Sequence, residues 1–574
     1  MPVPPSPDNP PSAELSVRAF LAWLAAILGV AGVSYALVAA AHPVFGRAEI
    51  YFAESARAML ASHSYVTPHY LGQPFFDKPI LSYWAIVASF QTLGLTHFAA
   101  RLPSLLAALA TAALAGYGTA LVAGKRAGLM AAAALCSSYT FGYFATLSMS
   151  DMWLTLFTSA AIALLMAGSL QAGRRTLHWW LASVCLALAF LSKGPVGVIL
   201  PVGSFILYLV LAREWGQVRL HHVLTAFATI GAVAGVWFFA LWRENGTQSL
   251  YAFFIEENLL RFSGETFRTD RHFAYIPMSF VIGGLPWSLL LPAVAWRVSI
   301  ERRRLPASPG GRADMFLWCH IAVVVAFFSV SRMQLDYYIL PALPAYAGLA
   351  GSYLGRSLPR GEFSARVGGW VLAVTLLFLG AATGFYLWPR IGAQDLWNGG
   401  LLPVWVLATG LAMAVLLVRR KYFPAYAMAF LAVCGAAAFG ARLGQPVYLR
   451  YVPVADYARA VRQSGETTAL ALSSDLDLWR GEFAFQAGRV PQQLNTPGGV
   501  ADFLRGDGPR MAVVSDAWAA ELTGELAGRM RVVDRRPALA RGATLATLLD
   551  STRLQSHLAT VVLLTNDGIP VRRD

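Results

Sequence analysis

Residues 20–57 of the chain read FLAWLAAILGVAGVSYALVAAAHPVFGRAEIYFAESAR. Phe20–Ala41 is a predominantly apolar run without a charged residue, and about 20 such residues suffice to cross a membrane as a helix. Two carboxylates, Glu49 and Glu54, and two arginines follow where a spanning helix should simply end. Ionisable groups at the edge of a membrane are costly and usually functional. The stretch therefore predicts a membrane protein with a charged site beside its first span.

The composition of the whole chain predicts a polytopic α-helical membrane protein. Of its 574 residues, 57% are hydrophobic and 13% are charged, whereas soluble proteins average about a quarter charged residues. The net charge of +14 arises from basic residues clustered between apolar runs, a pattern typical of cytoplasmic loops rather than of a nucleic-acid partner. The four cysteines lie inside apolar runs without metal-ligand spacing. We therefore expect the membrane as a partner and no nucleic acid.

Apolar runs predict about thirteen membrane-spanning helices. They cover residues 20–41, 102–123, 127–147, 152–170, 177–192, 196–212, 222–243, 275–296, 315–331, 337–355, 367–387, 401–418 and 422–440. The run 80–95 is also apolar, but counting it as a span would turn every later basic loop outward, against the positive-inside rule. We therefore expect residues 80–95 to lie in the membrane interface and the C-terminus to be outside.

This topology predicts three parts in the chain. They are a cytosolic tail (1–19), a transmembrane domain (20–443) with outer loops 42–101 and 244–275, and an outer domain (444–574). In the last part, predicted strands cover residues 467–472, 510–514 and 559–564, and predicted helices cover 499–504 and 517–526. Alternating strands and helices indicate a small α/β domain with an accessory role. The ionisable residues near span ends gather on the outer side, which predicts an outward-facing site.

Three carboxylates are candidate catalytic groups at this site. Glu49 and Glu54 are either solvated on an interfacial helix or held in a partly dry cleft as a general base or metal ligand. Asp151 begins a span after Ser150, so it is either a helix cap or a catalytic acid oriented by that position.

Basic residues at the outer side are candidate substrate ligands. Asp77 and Lys78 either enter a helix or bind a lipid carrier, with Lys78 on its phosphate and Asp77 on a metal or sugar hydroxyl. Lys193 either snorkels or meets the same phosphate. Arg332 has the planar fork that suits a phosphate, and Arg47 is a further substrate-binding candidate.

The second outer loop, 244–275, mixes both signs of charge, and we expect a mobile, mostly solvated lid. Its lone histidine, His272, is either structural or, with Asp77, a ligand of a divalent metal ion. No cofactor is assigned beyond that hypothesis.

Six short motifs occur in order along the chain. They are ARAMLAS (56–62), TPH (67–69), FFDKPILSYW (75–84), FAARLPS (98–104), LSKGP (191–195) and YYILP (337–341). Together they resemble the GT-C glycosyltransferases that use dolichyl- or undecaprenyl-phosphate sugars. These enzymes are relatives of the protein O-mannosyltransferases, and the resemblance is closest to the bacterial 4-amino-4-deoxy-L-arabinose (lipid A) transferases. It extends over about residues 20–350.

The resemblance implies inverting transfer of a sugar from a polyprenyl monophosphate to an acceptor at the periplasmic face of the bacterial inner membrane. In the aminoarabinose transferases that acceptor is a lipid A phosphate. By position, Glu49 and Asp151 match the family's acids, with Glu54 a following acid, and Lys78 and Lys193 match its lysines. The same comparison implies about thirteen spans and a periplasmic C-terminal domain.

Two positions depart from the family pattern. Ala48 replaces the leading aspartate of the acidic motif, so Glu49 or Asp151 has taken over its role, or the acceptor needs no base, or that step is lost. Gln334 stands where many relatives have lysine. Tyr337 and Tyr338 are expected to line the lipid groove and stack on the sugar.

Two other functions compete with a lipid A-type transferase. A protein O-glycosyltransferase with a serine or threonine acceptor would use the same donor chemistry. A lipid transporter or flippase would suit many spans with charges at depth, but such proteins often have two corresponding halves with interrupted helices near the midplane. The sequence has no such internal symmetry, and its charges lie at the outer end.

Overall fold

The computed structural model describes residues 15–266, 268–269, 271–301, 308–389, 400–449, 451–465, 467–526, 530–539, 554–556 and 558–566. The first fourteen residues of the predicted tail, the basic loop Arg302-Arg303-Arg304 and the last eight residues of the outer domain lie outside these ranges.

The membrane part of the chain is a helical bundle. Its helices are α1 (Val17–Ala41), α2 (Glu49–Ser62), α3 (Leu81–Leu93), α4 (His97–Ala123), α5 (Lys125–Cys136), α6 (Tyr139–Ala145), α7 (Asp151–Leu170), α8 (Arg175–Lys193), α9 (Val196–Ala212), α10 (Leu220–Asn245), α11 (Thr247–Tyr251), α12 (Arg261–Ser263), α13 (Tyr275–Gly283), α14 (Leu291–Glu301), α15 (Pro309–Val330), α16 (Leu343–Ser357), α17 (Phe363–Leu387), α18 (Leu401–Val418) and α19 (Tyr422–Leu449). A π-helix, Ala252–Leu260, joins α11 to α12, and a 3-10 helix, Asp336–Ala342, precedes α16.

Within the described residues, nine helices are long and apolar enough to cross a membrane, or up to ten if one bent pair is a single span. The predicted count of thirteen is therefore not confirmed. Three predicted spans are not single helices: 127–147 is broken into α5 and α6, 275–296 bends by 106°, and 337–355 begins as a 3-10 helix. The predicted span 196–212 is a single helix, α9, but its 17 residues leave it outside the count of nine.

The break between α5 and α6 has a local cause. The hydroxyls of Ser137 and Ser138 donate to the carbonyls of Ala133 and Ala134 at 2.6 and 2.8 Å. Serine hydroxyls compete with the helical backbone in this way and often bend helices. The Trp287 indole also donates to the Ser137 hydroxyl at 2.8 Å, which fixes the break against another segment.

The segment between α1 and α4 consists of short elements. It contains α2, a two-stranded antiparallel hairpin formed by β1 (His69–Tyr70) and β2 (Gln73–Pro74), and α3. A helix of 13 residues is about 20 Å long, which is less than the roughly 30 Å hydrocarbon core. The length of α3 therefore fits the expectation that residues 80–95 do not span.

The outer domain is a five-stranded mixed sheet with helices. Its strands are β3 (Ala469–Ser473), β4 (Gln492–Leu494), β5 (Arg510–Ser515), β6 (Met530–Leu539) and β7 (Leu558–Asn566), in the order β4-β3-β5-β7-β6. Its helices are α20 (Val454–Gln463), α21 (Arg480–Ala487), α22 (Pro497–Arg505) and α23 (Asp516–Glu525). The three predicted strands and the two predicted helices are confirmed, whereas β4, β6, α20 and α21 were not predicted.

Candidate active site

A cleft of about 570 Å³ lies where several helix ends meet on one side of the bundle. Its polar wall is formed by Asp77, Lys78, Ser150, Asp151, Lys193, Glu257, Asn258, Arg261, Ser331, Tyr337 and Tyr338. Its apolar wall includes Tyr51, Phe52, Met149, Val196, Ile199, Phe254, Phe262, Phe327 and Phe328. A mostly apolar pocket of this size with a few converging charges is the usual form of a small-molecule site.

Asp151 and Lys193 form a buried ion pair in this cleft. Asp151 is the first residue of α7, and Lys193 is the last residue of α8. The Lys193 ammonium donates to Asp151 Oδ1 and lies 5.3 Å from the ring centre of Tyr337 and 5.0 Å from that of Tyr338. The rings lie within the distance at which aromatic faces attract cations. The structure thus brings four of the predicted site residues together.

Gly194 explains how Lys193 reaches this position. It has a φ of +77°, which favours glycine, and it ends α8 directly after the lysine. A Cβ at this position would lie only 2.8 Å from Phe253 in the π-helix. The glycine therefore allows the π-helix to pack against the end of α8, beside the cleft.

A second cluster of charges, around Asp77, also lines the cleft. Lys78 Nζ donates to Asp77 Oδ1 at 2.5 Å, and Arg261 Nη1 donates to the same oxygen at 2.6 Å. Arg261 Nη1 also donates to Glu257 Oε2 at 2.5 Å, one helical turn earlier in the chain. Asp77 thus orients two cations toward the cleft.

The pKa values of the two carboxyl groups in this cluster are shifted in opposite directions. Burial raises the pKa of Glu257 to about 8, and the neighbouring Asp77 charge adds to that increase. Burial alone would also raise the pKa of Asp77, but Lys78 and Arg261 outweigh it and hold that pKa well below its ordinary value. Glu257 is therefore the carboxyl group that carries a proton at neutral pH.

Glu49 does not line the cleft. Its Oε1 accepts from Arg101 Nε and the Ser148 amide, both at 2.9 Å, and its Oε2 accepts from the Gly46 amide at 2.8 Å and Arg101 Nη2 at 3.2 Å. A carboxylate has about four lone-pair sites, so all of them are occupied. Burial would raise the pKa of Glu49, but Arg101 and the two amides outweigh it and lower that pKa. This geometry favours a structural role over the predicted general base.

Glu54 also lies outside the cleft and contributes to a domain contact. Both of its oxygens accept from Arg57 at 2.7 Å, and Arg57 Nη1 donates to the Gly488 carbonyl of the outer domain at 3.1 Å. Nearby, Glu482 of α21 accepts from the Phe45 amide at 2.8 Å and pairs with His97 at 2.7 Å. The outer domain is thus held against the segment that carries the cleft residues Tyr51 and Phe52.

The other three predicted site residues are exposed. Arg47, His272 and Arg332 lie at the surface, and none belongs to the cleft lining. The Arg332 amide donates to the carbonyl of the cleft residue Phe262 at 3.0 Å, so the Arg332 backbone supports the cleft wall. Within the described residues no three His, Cys, Asp or Glu side chains converge on a metal position. Asp77 is engaged by two cations, and the divalent metal ion stays a hypothesis from the sequence.

Sequence reasoning missed Glu257 and Arg261 as cleft residues. The expectation that loop 244–275 is mostly solvated is wrong for these two residues, which line the cleft. The available signal was their i, i+4 spacing, at which a glutamate and an arginine pair on a helix. No local pattern connects Arg261 to Asp77, which lies 184 residues earlier.

The sequence of this chain is similar to those of known transferases. A family described as dolichyl-phosphate-mannose-protein mannosyltransferase matches residues 77–239. The undecaprenyl phosphate-alpha-4-amino-4-deoxy-L-arabinose arabinosyl transferase of Pseudomonas aeruginosa (strain UCBPP-PA14) is 30% identical over 362 residues, 62% of this chain and 64% of its own length. Arabinosyl transferase 1 of Sodalis glossinidius (strain morsitans) is 30% identical over 390 residues, 65% of this chain and 67% of its own length. The chain thus spans just under two thirds of the Pseudomonas relative.

Solved structures share the fold over nearly the whole chain. The crystal structure of ArnT from Cupriavidus metallidurans bound to undecaprenyl phosphate has a TM-score of 0.73 and 22% identity, covering 96% of this chain and 98% of that chain. The apo structure of the same protein has the same TM-score over 95% of this chain. The expected GT-C fold, including a small C-terminal sheet domain, is therefore confirmed.

Proposed function

We propose that this chain, which belongs to the GT-C glycosyltransferase family of the undecaprenyl phosphate-aminoarabinose arabinosyl transferases, moves a sugar from an undecaprenyl-phosphate carrier to a lipid acceptor. The acceptor class follows from the resemblance of the sequence motifs to the lipid A aminoarabinose transferases. The chain acts in the bacterial inner membrane, with the cleft and the C-terminal domain on the periplasmic side. Transfer proceeds with inversion at the sugar carbon.

The charge balance of the cleft carries this proposal. Lys78, Lys193 and Arg261 supply three positive charges, and Asp77 and Asp151 supply two negative charges. Glu257, with its pKa near 8, adds none at neutral pH. The surplus of one positive charge matches the single negative charge of a phosphodiester that links a sugar to a lipid. Such preorganised charges stabilise a leaving phosphate.

The phosphate binds between Lys78 and Arg261. Lys78 and Arg261 both donate to Asp77 Oδ1, which fixes the orientation of the two side chains. Arg261 also offers the planar fork that phosphate oxygens prefer. The lipid chain of the donor follows the apolar wall, where Phe254, Phe327 and other rings lie. This arrangement holds the sugar near Asp151.

Asp151 acts on the reacting sugar. When the phosphate arrives, Lys193 turns from Asp151 to the phosphate, and the freed carboxylate faces the positive charge that develops on the sugar ring. The bond from the sugar carbon to the phosphate oxygen breaks with its electron pair on the phosphate, and an acceptor oxygen forms the new bond on the opposite face. A hydroxyl acceptor gives its proton to Asp151, whereas an ionised phosphate acceptor has none to give. Ser150 Oγ, buried beside Asp151 and without a partner among the described residues, is placed to bond a sugar hydroxyl.

The test is a transfer assay with the full chain in lipid nanodiscs. The donor is undecaprenyl-phosphate aminoarabinose, and the acceptors are lipid A and a serine-rich peptide in separate reactions. We expect lipid A to gain the mass of one aminoarabinose residue by mass spectrometry. Labelling of the peptide alone would instead make the chain a protein O-glycosyltransferase, and transfer to neither acceptor would contradict the proposal.

Replacing Lys78 or Arg261 by Met should weaken donor binding. Hydrogen bonds to charged groups contribute about 1.5–3 kcal/mol, so each variant should raise the donor KM roughly tenfold to a hundredfold. The measurement is donor-dependent initial rate at saturating acceptor. The exposed Arg243 provides the matched control, and Arg243→Met should leave the donor KM unchanged. Equal donor KM values for all three variants would mean that the donor phosphate does not bind between Lys78 and Arg261.

The donor KM should also rise between about pH 7 and pH 9. Glu257 is protonated and neutral below its pKa of about 8 and negative above it, whereas a phosphodiester keeps one charge throughout. A repulsion of about 1 kcal/mol between the two corresponds to a KM increase of about fivefold. Glu257→Gln should lose this dependence on pH. An unchanged profile in that variant would assign the titration to another group.

A further inference from the structure

The helix α21 of the outer domain is fixed to the membrane part near both of its ends. Glu482, in the first turn of α21, accepts from the Phe45 amide at 2.8 Å and pairs with His97 at 2.7 Å. Gly488 directly follows the last residue of α21, and its carbonyl accepts from Arg57 at 3.1 Å. The helix therefore cannot move away from α2 without losing these hydrogen bonds.

Gly481, the residue before Glu482, packs directly against the β1–β2 hairpin and α2. A Cβ at position 481 would overlap the Tyr70 hydroxyl and would lie only 2.8 Å from Ile50 Cγ1 and 3.3 Å from Tyr70 Cζ. Alanine is more favourable than glycine inside a helix by about 1 kcal/mol, so helix stability alone would favour a side chain at this position. The close approach of Tyr70 and Ile50 therefore explains the glycine.

Tyr70 connects this domain contact to the wall of the cleft. The centre of its ring lies 4.7 Å from that of Tyr51 and 5.8 Å from that of Phe75, and the Tyr51 and Phe75 rings stack at 5.3 Å. Tyr51 lines the cleft and follows Ile50 in α2. Closely packed side chains transmit displacements to their neighbours, so a shift of the Tyr70 ring also moves the Tyr51 ring.

We propose that the outer domain sets the position of Tyr51 in the cleft wall, with Gly481 and Tyr70 as the positioning residues. Neither of these two belongs to the described lining of the cleft, so both act through Tyr51. The proposal rests on the proposed function, because the wall is that of the transferase cleft. A displaced wall would hold the sugar out of line with Asp151, and a misplacement of about 1 Å can lower a rate about a hundredfold.

The first measurement is the single-turnover rate constant of sugar transfer by the full chain carrying Gly481→Ala. We expect it to fall about tenfold to a hundredfold, while the donor KM stays unchanged because Lys78 and Arg261 hold the phosphate. Partial unfolding would instead lower the amplitude of the turnover and leave its rate constant unchanged. Gly498→Ala in α22, where a Cβ meets nothing within 4 Å, is the matched control and should keep the wild-type rate constant.

A second substitution tests the path from Gly481 to the cleft. Tyr70→Phe removes the hydroxyl that the new methyl group would overlap, and it keeps the ring that packs on Tyr51. The double variant Gly481→Ala/Tyr70→Phe should therefore recover a substantial part of the rate constant that Gly481→Ala loses. A contact that only stabilises the fold would show no such recovery, and a double variant as slow as Gly481→Ala would overturn the proposal.

A third measurement separates failure of this proposal from failure of the proposed function, because it does not depend on transfer. A 3-fluorotyrosine at position 51 reports the surroundings of that ring by fluorine NMR in nanodiscs. Its resonance should shift in Gly481→Ala, return toward the wild-type position in the double variant and stay in place in Gly498→Ala. A resonance that Gly481→Ala leaves in place would overturn the proposal. The expected shifts in a chain that transfers no sugar would support the positioning of Tyr51 and contradict the proposed function.

Discussion

Replacing Asp151 by Asn is expected to lower kcat for sugar transfer by about 10²- to 10⁴-fold, the usual contribution of a positioned acid or base. Asparagine keeps the shape of the side chain but cannot carry the negative charge that faces the reacting sugar. The donor KM should change little, because Lys78 and Arg261 hold the phosphate from the other cluster. The measurement is single-turnover transfer at saturating donor and acceptor.

The chain offers a matched control for the loss of a buried ion pair. Asp314 is nearly buried and pairs with Arg356 at 2.6 Å, away from the cleft. Asp314→Asn should therefore leave kcat unchanged even if it lowers stability. If Asp151→Asn kept its full kcat, the reaction would need no carboxylate at this position, and an acceptor that arrives as an ionised phosphate would account for it.

The charged cleft residues that lie beside apolar runs could be predicted from the sequence. Asp77, Lys78, Asp151 and Lys193 are charged residues beside apolar runs, and membranes tolerate such residues mainly where they function. What sequence could not predict is which charges meet. Whether Glu49 faces the cleft or Arg101 depends on the packing of α2 against the start of α4, and hydropathy carries no signal for that choice.

The fold could be predicted from the sequence where a single unbroken helix is long enough to cross the membrane. The run 127–147 is largely apolar on both sides of Ser137 and Ser138, so hydropathy shows one continuous span although the helix is broken there. In the outer domain, β6 carries Asp534, Arg535 and Arg536 in its middle and has an irregular register there. Its sequence therefore lacks the apolar alternation that identifies a strand.

Glu49→Gln should destabilise the protein rather than only remove activity. The amide NH₂ of glutamine is a donor, and it would meet other donors, either the Gly46 amide and Arg101 Nη2 or Arg101 Nε and the Ser148 amide. Arg101 is 1% exposed, so losing its counter-charge leaves a buried cation uncompensated. Breaking a buried pair in this way costs about 3–5 kcal/mol. We expect a clearly lower midpoint of thermal unfolding in detergent, together with less folded protein in the membrane.

Glu521→Gln, the same substitution at an exposed position of the outer domain, should leave that midpoint unchanged. The two roles considered for Glu49 predict different pairs of results. A structural role requires that stability and kcat fall together, because the α2 segment with Tyr51 and Phe52 would lose its anchor on Arg101. A catalytic role requires an unchanged unfolding midpoint with kcat reduced as strongly as in Asp151→Asn. An unchanged unfolding midpoint with a reduced kcat would mean that the Glu49 carboxylate leaves Arg101 and enters the cleft during the reaction.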